Sequence, residues 1–280
     1  MLNPRTKTTR KQTNKMRKIL IPTYLTLLIF YSYTHISIAQ KREIIPLNKH
    51  YFIINSSEKE AQAYNQITTK ESKEKSISKV YTLSNRLVKS IEDSYNKDEK
   101  FNQRLIYRYD TLGQLISFTL FNLDESIYLT RHYRNDSILA EVLRTDYSKF
   151  QITIPESESI QLEFNPYSSG PPSNIIWNEY LGNNLGYPVS ARRAGNSGTA
   201  VIAIKVNENG QLTAFELANP DHIARDLARE ALGVIEKYDG LWRPAISIEG
   251  EVTAQWYYLP VRFVLTGDDI PFAGNLDLVF

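Results

Sequence analysis

Between residues 198 and 238 the hydrophobic pattern of the chain changes period from two to 3.6, and that switch constrains the fold more than any other feature. Residues 199–206 (Thr-Ala-Val-Ile-Ala-Ile-Lys-Val) are rich in β-branched side chains, Asn207, Glu208, Asn209 and Gly210 supply a turn, and residues 211–217 return as the partner strand. Asn219 and Pro220 then place a capping side chain and a helix-starting proline in sequence, and Ile223, Leu227, Ala231, Val234, Ile235 and Tyr238 recur at helical spacing. After Trp242, Arg243 and Pro244 and a turn at Glu249 and Gly250, residues 252–265 alternate, with Tyr257, Leu259, Val261, Phe263 and Leu265 on one face. A hairpin, one amphipathic helix and a third strand make an α+β fold with the order strand, strand, helix, strand.

Upstream the texture differs. From about Val80 to Ile154 short runs of Tyr, Leu, Ile and Phe are broken by small polar turns, which reads as antiparallel strands. A turn signal recurs loosely at Thr82 to Asn85, Thr111 to Gln114 and Ser137 to Leu139, a weak internal repeat of hairpins. By composition this region resembles the hairpin-repeat modules of the antitoxin or MORN-like kind; an open meander without a ligand is the simpler account of it. Residues 40–79, with charged runs over 56–60 and 68–76, read as a solvated linker or exposed helix. Residues 155–176 hold Asn165 to Ser173, dense in proline, serine and glycine, and mark a boundary. The organisation expected is a leader over 1–39, a linker over 40–79, hairpins over 80–154, a second linker over 155–176, a C-terminal domain over 177–266 and a tail over 267–280.

Charge and composition limit the function. The chain has 33 basic and 31 acidic residues, but seven of the bases (Arg5, Lys7, Arg10, Lys11, Lys15, Arg17, Lys18) precede residue 40, where there is no acid. The remainder is net acidic, which argues against nucleic-acid binding. That basic cluster leads into an uncharged stretch over 19–40, the order of a secretory signal, with a cleavage position after Ala39. The same stretch is long enough for an uncleaved inner-membrane anchor at about 20 residues per span, so both readings stand. With no cysteine there is no disulfide, thiolate metal site or lipoprotein anchor. The four histidines (His35, His50, His132, His222) lack metal-ligand spacing. Gly195, Asn196, Ser197 and Gly198 resemble a serine-protease nucleophile loop, yet no base or orienting acid accompanies them. Arg192 and Arg193 read as an anion site or, more simply, a solvated helix face. Neither an enzyme nor a cofactor is expected.

The C-terminal residues carry a resemblance. Tyr187 and Pro188, Ala191 and Arg192, Gly195, Gly198 opening a strand that ends at Val206, Gly210, Ala231, Trp242 and Pro244, and the run Pro260 to Leu265 are similar to the signature of the C-terminal domain of TonB proteins. The resemblance covers roughly residues 177–266. It implies a periplasmic or cell-envelope domain that grips an extended segment, the TonB box, of outer-membrane TonB-dependent transporters by strand addition, in transport and energy transduction. It also implies partner contacts at Leu185, Gly186, Tyr187 and Pro188 and, on the last strand, at Trp256, Tyr258 and Arg262. Pro260 fits an edge strand or a bulge. Energy-transducing members contact inner-membrane motor proteins through an anchor helix and carry a long proline-rich spacer; here Ser32 and His35 do not match the anchor's spacing, and hairpins occupy the spacer's place. A cell-envelope adaptor uncoupled from the proton gradient is the alternative.

Overall fold

The computed structural model describes residues 43–55, 59–125, 127–146 and 149–265. The expected leader over 1–39 and tail over 267–280 lie outside the described residues. Ten strands form one antiparallel sheet whose spatial order is the chain order: β1 (Glu43–Leu47), β2 (Tyr64–Lys70), β3 (Lys75–Thr82), β4 (Leu87–Asn96), β5 (Phe101–Tyr109), β6 (Leu115–Asn122), β7 (Ile127–Arg134), β8 (Ser137–Asp146), β9 (Lys149–Thr153) and β10 (Ile160–Leu162). The turns sit where backbone with positive φ is tolerated. Gly113 (φ 81°) closes β5 to β6, and Asn135 (φ 47°) and Asp136 (φ 62°) form the two-residue link of β7 to β8. That link places Ser137, read as part of a turn, at the start of β8.

The expected linker over 40–79 is instead β1, β2 and most of β3. Its charges misled because they concentrate at the β2–β3 turn, where Lys75 bonds Glu71 and Glu92, both at 3.3 Å. Of these, β2 and β3 are largely half-buried and paired on both sides, β1 at the edge pairs with β2 alone, and Thr68 and Ser78 hydroxyls meet across the ladder at 2.8 Å. The expected linker over 155–176 likewise holds β10 and the start of a helix. Its Pro/Ser/Gly stretch is pinned by Arg243, whose Nη1 donates to Asn165 O (3.2 Å) and Ser168 O (2.7 Å) and whose backbone exchanges two hydrogen bonds with Gly170.

The C-terminal layers contain α1 (Asn174–Asn184), α2 (Val189–Ala194), β11 (Gly198–Val206), β12 (Leu212–Leu217), α3 (Arg225–Glu236), the two-residue strands β13 (Ala245–Ile246) and β14 (Val252–Thr253), and β15 (Gln255–Phe263). The second sheet runs β12-β11-β15, with β11 central and antiparallel to both neighbours. Its inner face presents Ala200, Ile202, Ile204 and Val206 from β11 and Leu259, Val261 and Phe263 from β15 to Leu227, Ala231 and Ile235 of α3, with Trp177 and Trp242 closing the ends. Each large side chain buried there contributes about 1.5–3 kcal/mol. Asn219 and Pro220 do not start the helix as expected. Residues Pro220–His222 form a separate 3-10 turn and α3 begins at Arg225, because the Asn219 side chain is engaged with β11.

Candidate functional site

The open side of β15 is defined by the main chain. Val201 turns both backbone groups toward β12: its N–H donates to Asn219 Oδ1 at 2.8 Å and its C=O accepts from Ala218 at 2.7 Å. The Thr199 carbonyl similarly accepts from Asn219 Nδ2 at 2.9 Å. Residues in an antiparallel ladder alternate in the side to which they bond. The partners opposite Val201 and Thr199 on β15, Pro260 and Arg262, therefore make no ladder bond with β11 and direct their main-chain groups to the other side. By the same alternation Tyr258 and Trp256 do so too. Pro260 costs the sheet no hydrogen bond, and the register passes through it unbroken from Gln255 to Phe263, so it marks an edge and not a bulge. Among the described residues no strand pairs with this side of β15.

Residues 185–188 lie beside the C-terminal end of that strand. Leu185 caps α1 and packs on the core, its N–H donating to Leu181 O at 2.8 Å. Gly186 N–H donates to Glu230 Oε1 of α3 at 2.8 Å. The Tyr187 ring stands edge-on to Phe263, centroids 5.7 Å apart, and its hydroxyl donates to Asn196 O. Pro188 opens α2, which is tied to α3 by Ser190 Oγ donating to Asp226 Oδ2 at 2.7 Å. This bond is the main reason the Asp226 carboxyl is held below its ordinary range. Of the four, Tyr187 is the one set against β15, at Phe263, the residue after the exposed Arg262.

Trp256 and Tyr258 are placed differently. Their side chains lie on the outer face of the second sheet, which residues 48–54 cover. Phe52 packs on Val201, Ala203 and Ala218, with Trp256 and Tyr258 at its border. Asn48 is the pivot of this strap. Its Nδ2 donates to Ala218 O at 2.8 Å, while its Oδ1 accepts from the N–H groups of His50 (2.9 Å) and Phe52 (3.1 Å). His50 Nδ1 is 3.1 Å from the Tyr258 hydroxyl and its ring stands edge-on to Trp256. His50 Nε2 approaches Glu216 Oε1 at 3.1 Å without hydrogen-bond alignment, and Lys49 reaches the same oxygen at 2.6 Å. Burial lowers the His50 pKa against the opposing pull of Glu216, and burial pushes the Tyr258 hydroxyl up to about 12. The side chains of Trp256 and Tyr258 are thus engaged within the chain, whereas their main-chain groups face the open side.

Sequence reasoning missed the strap and the side chains beneath it. The available signal was parity: Lys89 and Arg108 stand two residues from the apolar Ile91 and Ile106 and so share their face of β4 and β5. Among the described residues no group of three or more His, Asp or Glu is arranged to hold a metal, and no helix is long and apolar enough to cross a membrane.

Residues 183–265 match the family model described as the Gram-negative bacterial TonB protein C-terminal, a span that takes in α2 and β11 to β15. Neither the curated proteins nor the solved structures compared with the chain gave a match.

Proposed function

We propose that this is a TonB-like protein of the periplasm or cell envelope whose C-terminal domain binds an extended segment of an outer-membrane TonB-dependent transporter by strand addition along β15. The observation that supports this reading is the open side of β15 within a domain that matches the TonB C-terminal family. The outward N–H and C=O groups of Trp256 and Tyr258 are donors and acceptors that an extended peptide satisfies, so affinity is largely main-chain and tolerant of sequence. Pro260 interrupts the row of outward donors, which blunts the edge against indiscriminate pairing. Leu185, Gly186, Tyr187 and Pro188 flank the Arg262 end, where the peptide's side chains would be read.

The test is a peptide carrying a TonB box from a transporter of the same organism, titrated against the chain and its Arg262→Pro variant. Binding to the parent that falls at least about tenfold in the variant supports strand addition. Arg262 is preferable to Tyr258 for this substitution because the Tyr258 side chain also holds the strap. Absence of binding at high micromolar peptide removes the transporter reading. It leaves the envelope adaptor, which the ten-stranded sheet favours because it fills residues 43–162 with folded structure where a spacer would reach across the periplasm.

A further inference from the structure

An added strand needs room as well as outward main-chain groups, because it lies about 4.8 Å from β15 in the plane of the second sheet. The ten-stranded sheet borders that place. Its register aligns Lys89, Arg108, Ser117 and His132 directly across β4 to β7, and residues opposite one another share a face. With strands about 4.8 Å apart, the Lys89 and His132 backbones stand roughly 14 Å from each other. Both ends of this row are tied to β15.

Successive residues of β15 point to opposite faces, and each face has its own tie. On the outer face, His50 Nδ1 is 3.1 Å from the Tyr258 hydroxyl. The next strap residue, Tyr51, lies over Lys89, whose Nζ is 4.0 Å from the ring centroid, and stacks on Tyr64 of β2 at 4.6 Å. On the inner face, Ser169 N–H donates to Gln255 Oε1 at 3.2 Å, and a Cβ built on Gly170 would lie 4.0 Å from the Tyr257 ring. Tyr167 of the same segment packs on His132, with centroids 5.2 Å apart. Two flanks of one strand thus reach the two ends of one row, so the edge from Gln255 to Tyr258 is turned toward Arg108 and Ser117 between them. In keeping with this, the Arg108 guanidinium acts on the Tyr258 hydroxyl, and that of Arg144, in β8, acts on Tyr257. Exposure follows the same division: residues 255–260 are half-buried or buried and Ser117 is 8% exposed, whereas Arg262 and Val264 are exposed.

We propose that the ten-stranded sheet is an intramolecular cover over the N-terminal half of the β15 edge, and that an added strand gains this half only as the two layers part. The inference rests on the strand-addition reading and adds to it a regulation of the same edge. A strand beside Trp256 and Tyr258 would take the place now filled by the Arg108 and Ser117 side chains, so the covered and the peptide-bound arrangements exclude one another. A binding-competent form populated at about one part in ten lowers the apparent affinity about tenfold. Weakening a tie therefore raises affinity without any change to β15 itself. The cover also shields from other chains an edge that Pro260 blunts at a single position.

The chain has no cysteine, so Ser117→Cys places a single thiol on the covered row. Its alkylation by iodoacetamide is followed with and without a saturating TonB-box peptide. The affinity of that peptide is measured for the parent and for Phe52→Ala, in which the strap loses its central apolar contact. The expected result is slow labelling that the peptide speeds at least about tenfold, and binding about tenfold or more tighter in Phe52→Ala. Peptide that binds while leaving the labelling rate unchanged overturns the cover and leaves strand addition standing, as does equal or weaker affinity in a folded Phe52→Ala. If Phe52→Ala does not fold, the labelling rates decide alone. A thiol that reacts as fast before peptide is added as it does in the denatured chain overturns the cover too. Peptide that binds neither chain removes the strand-addition reading and the inference with it.

Discussion

Gly210 shows how one residue fixes the relation of two elements. It closes the β11–β12 turn at φ 76°, its carbonyl accepts from Trp242 N–H at 2.7 Å, and a Cβ built on it would lie 2.4 Å from Trp242 O. A side chain there meets both left-handed backbone strain and a main-chain clash, so Gly210→Ala is expected to cost about 2–4 kcal/mol in chemical denaturation. His132 sets a pH dependence. Its folded pKa is depressed to about 4, chiefly by burial and then by Arg108, against an unfolded value of 6.5. Between these values the unfolded chain binds more protons than the folded one, so stability rises with pH across the window. The contribution is fully present above pH 6.5 and is lost as pH falls toward 4, amounting to at most about 3 kcal/mol. Denaturation midpoints measured from pH 4 to 8 should show this slope, and His132→Phe should flatten it.

At the scale of elements, β15 separates stability from recognition. Arg262 stands opposite Thr199, whose carbonyl is committed to Asn219, so proline at 262 removes no bond to β11. Arg262→Pro is expected to change unfolding stability by less than about 1 kcal/mol, whereas proline at Leu259, opposite Ile202 and bonded to it, is expected to cost about 3 kcal/mol or more. Denaturant titration of the two variants makes the comparison. The elements of the second sheet were legible in sequence because their apolar periodicity is local and strong, as in residues 199–206 and in Leu227, Ala231 and Ile235 of α3. What was not legible has a common cause. The strands β2 and β3 are largely half-buried on both faces and use threonine, serine and lysine where an apolar pattern would have announced them, and β1 is five residues long with a proline in it. Asn219 reads locally as a helix cap, but its amide is drawn to the β11 backbone, a long-range competition that no local rule contains. Trp256 and Tyr258 read as outward-facing, and so they are relative to their own sheet. The strap that covers them begins some 200 residues earlier in the chain.

For the whole molecule, the strap is one fastening between the ten-stranded sheet and the C-terminal layers, beside the Arg134–Glu249 ion pair. Phe52 is 5% exposed and central to its small apolar cluster, so Phe52→Ala is expected to cost about 3–5 kcal/mol. All three tryptophans, Trp177, Trp242 and Trp256, lie in the C-terminal layers. Tryptophan fluorescence therefore reports the C-terminal layers alone, whereas far-UV circular dichroism reports the whole chain, the ten-stranded sheet included. The two are expected to give coincident unfolding transitions in the parent and separate ones in Phe52→Ala. The strap also sets an order of events. Partners within the first sheet are close in sequence, as with Thr68 and Ser78 or Thr119 and Thr130, separated by 10 and 11 residues. The bonds from Asn48 to Ala218 and from His50 to Tyr258 close loops of 170 and 208 residues. Loops of that length form late, and the chain is synthesised with β15 after every other described strand. Lys89, which Tyr51 of the strap overlies, accordingly stays open to water until the strap is docked on β15, and covering it is a late step of folding.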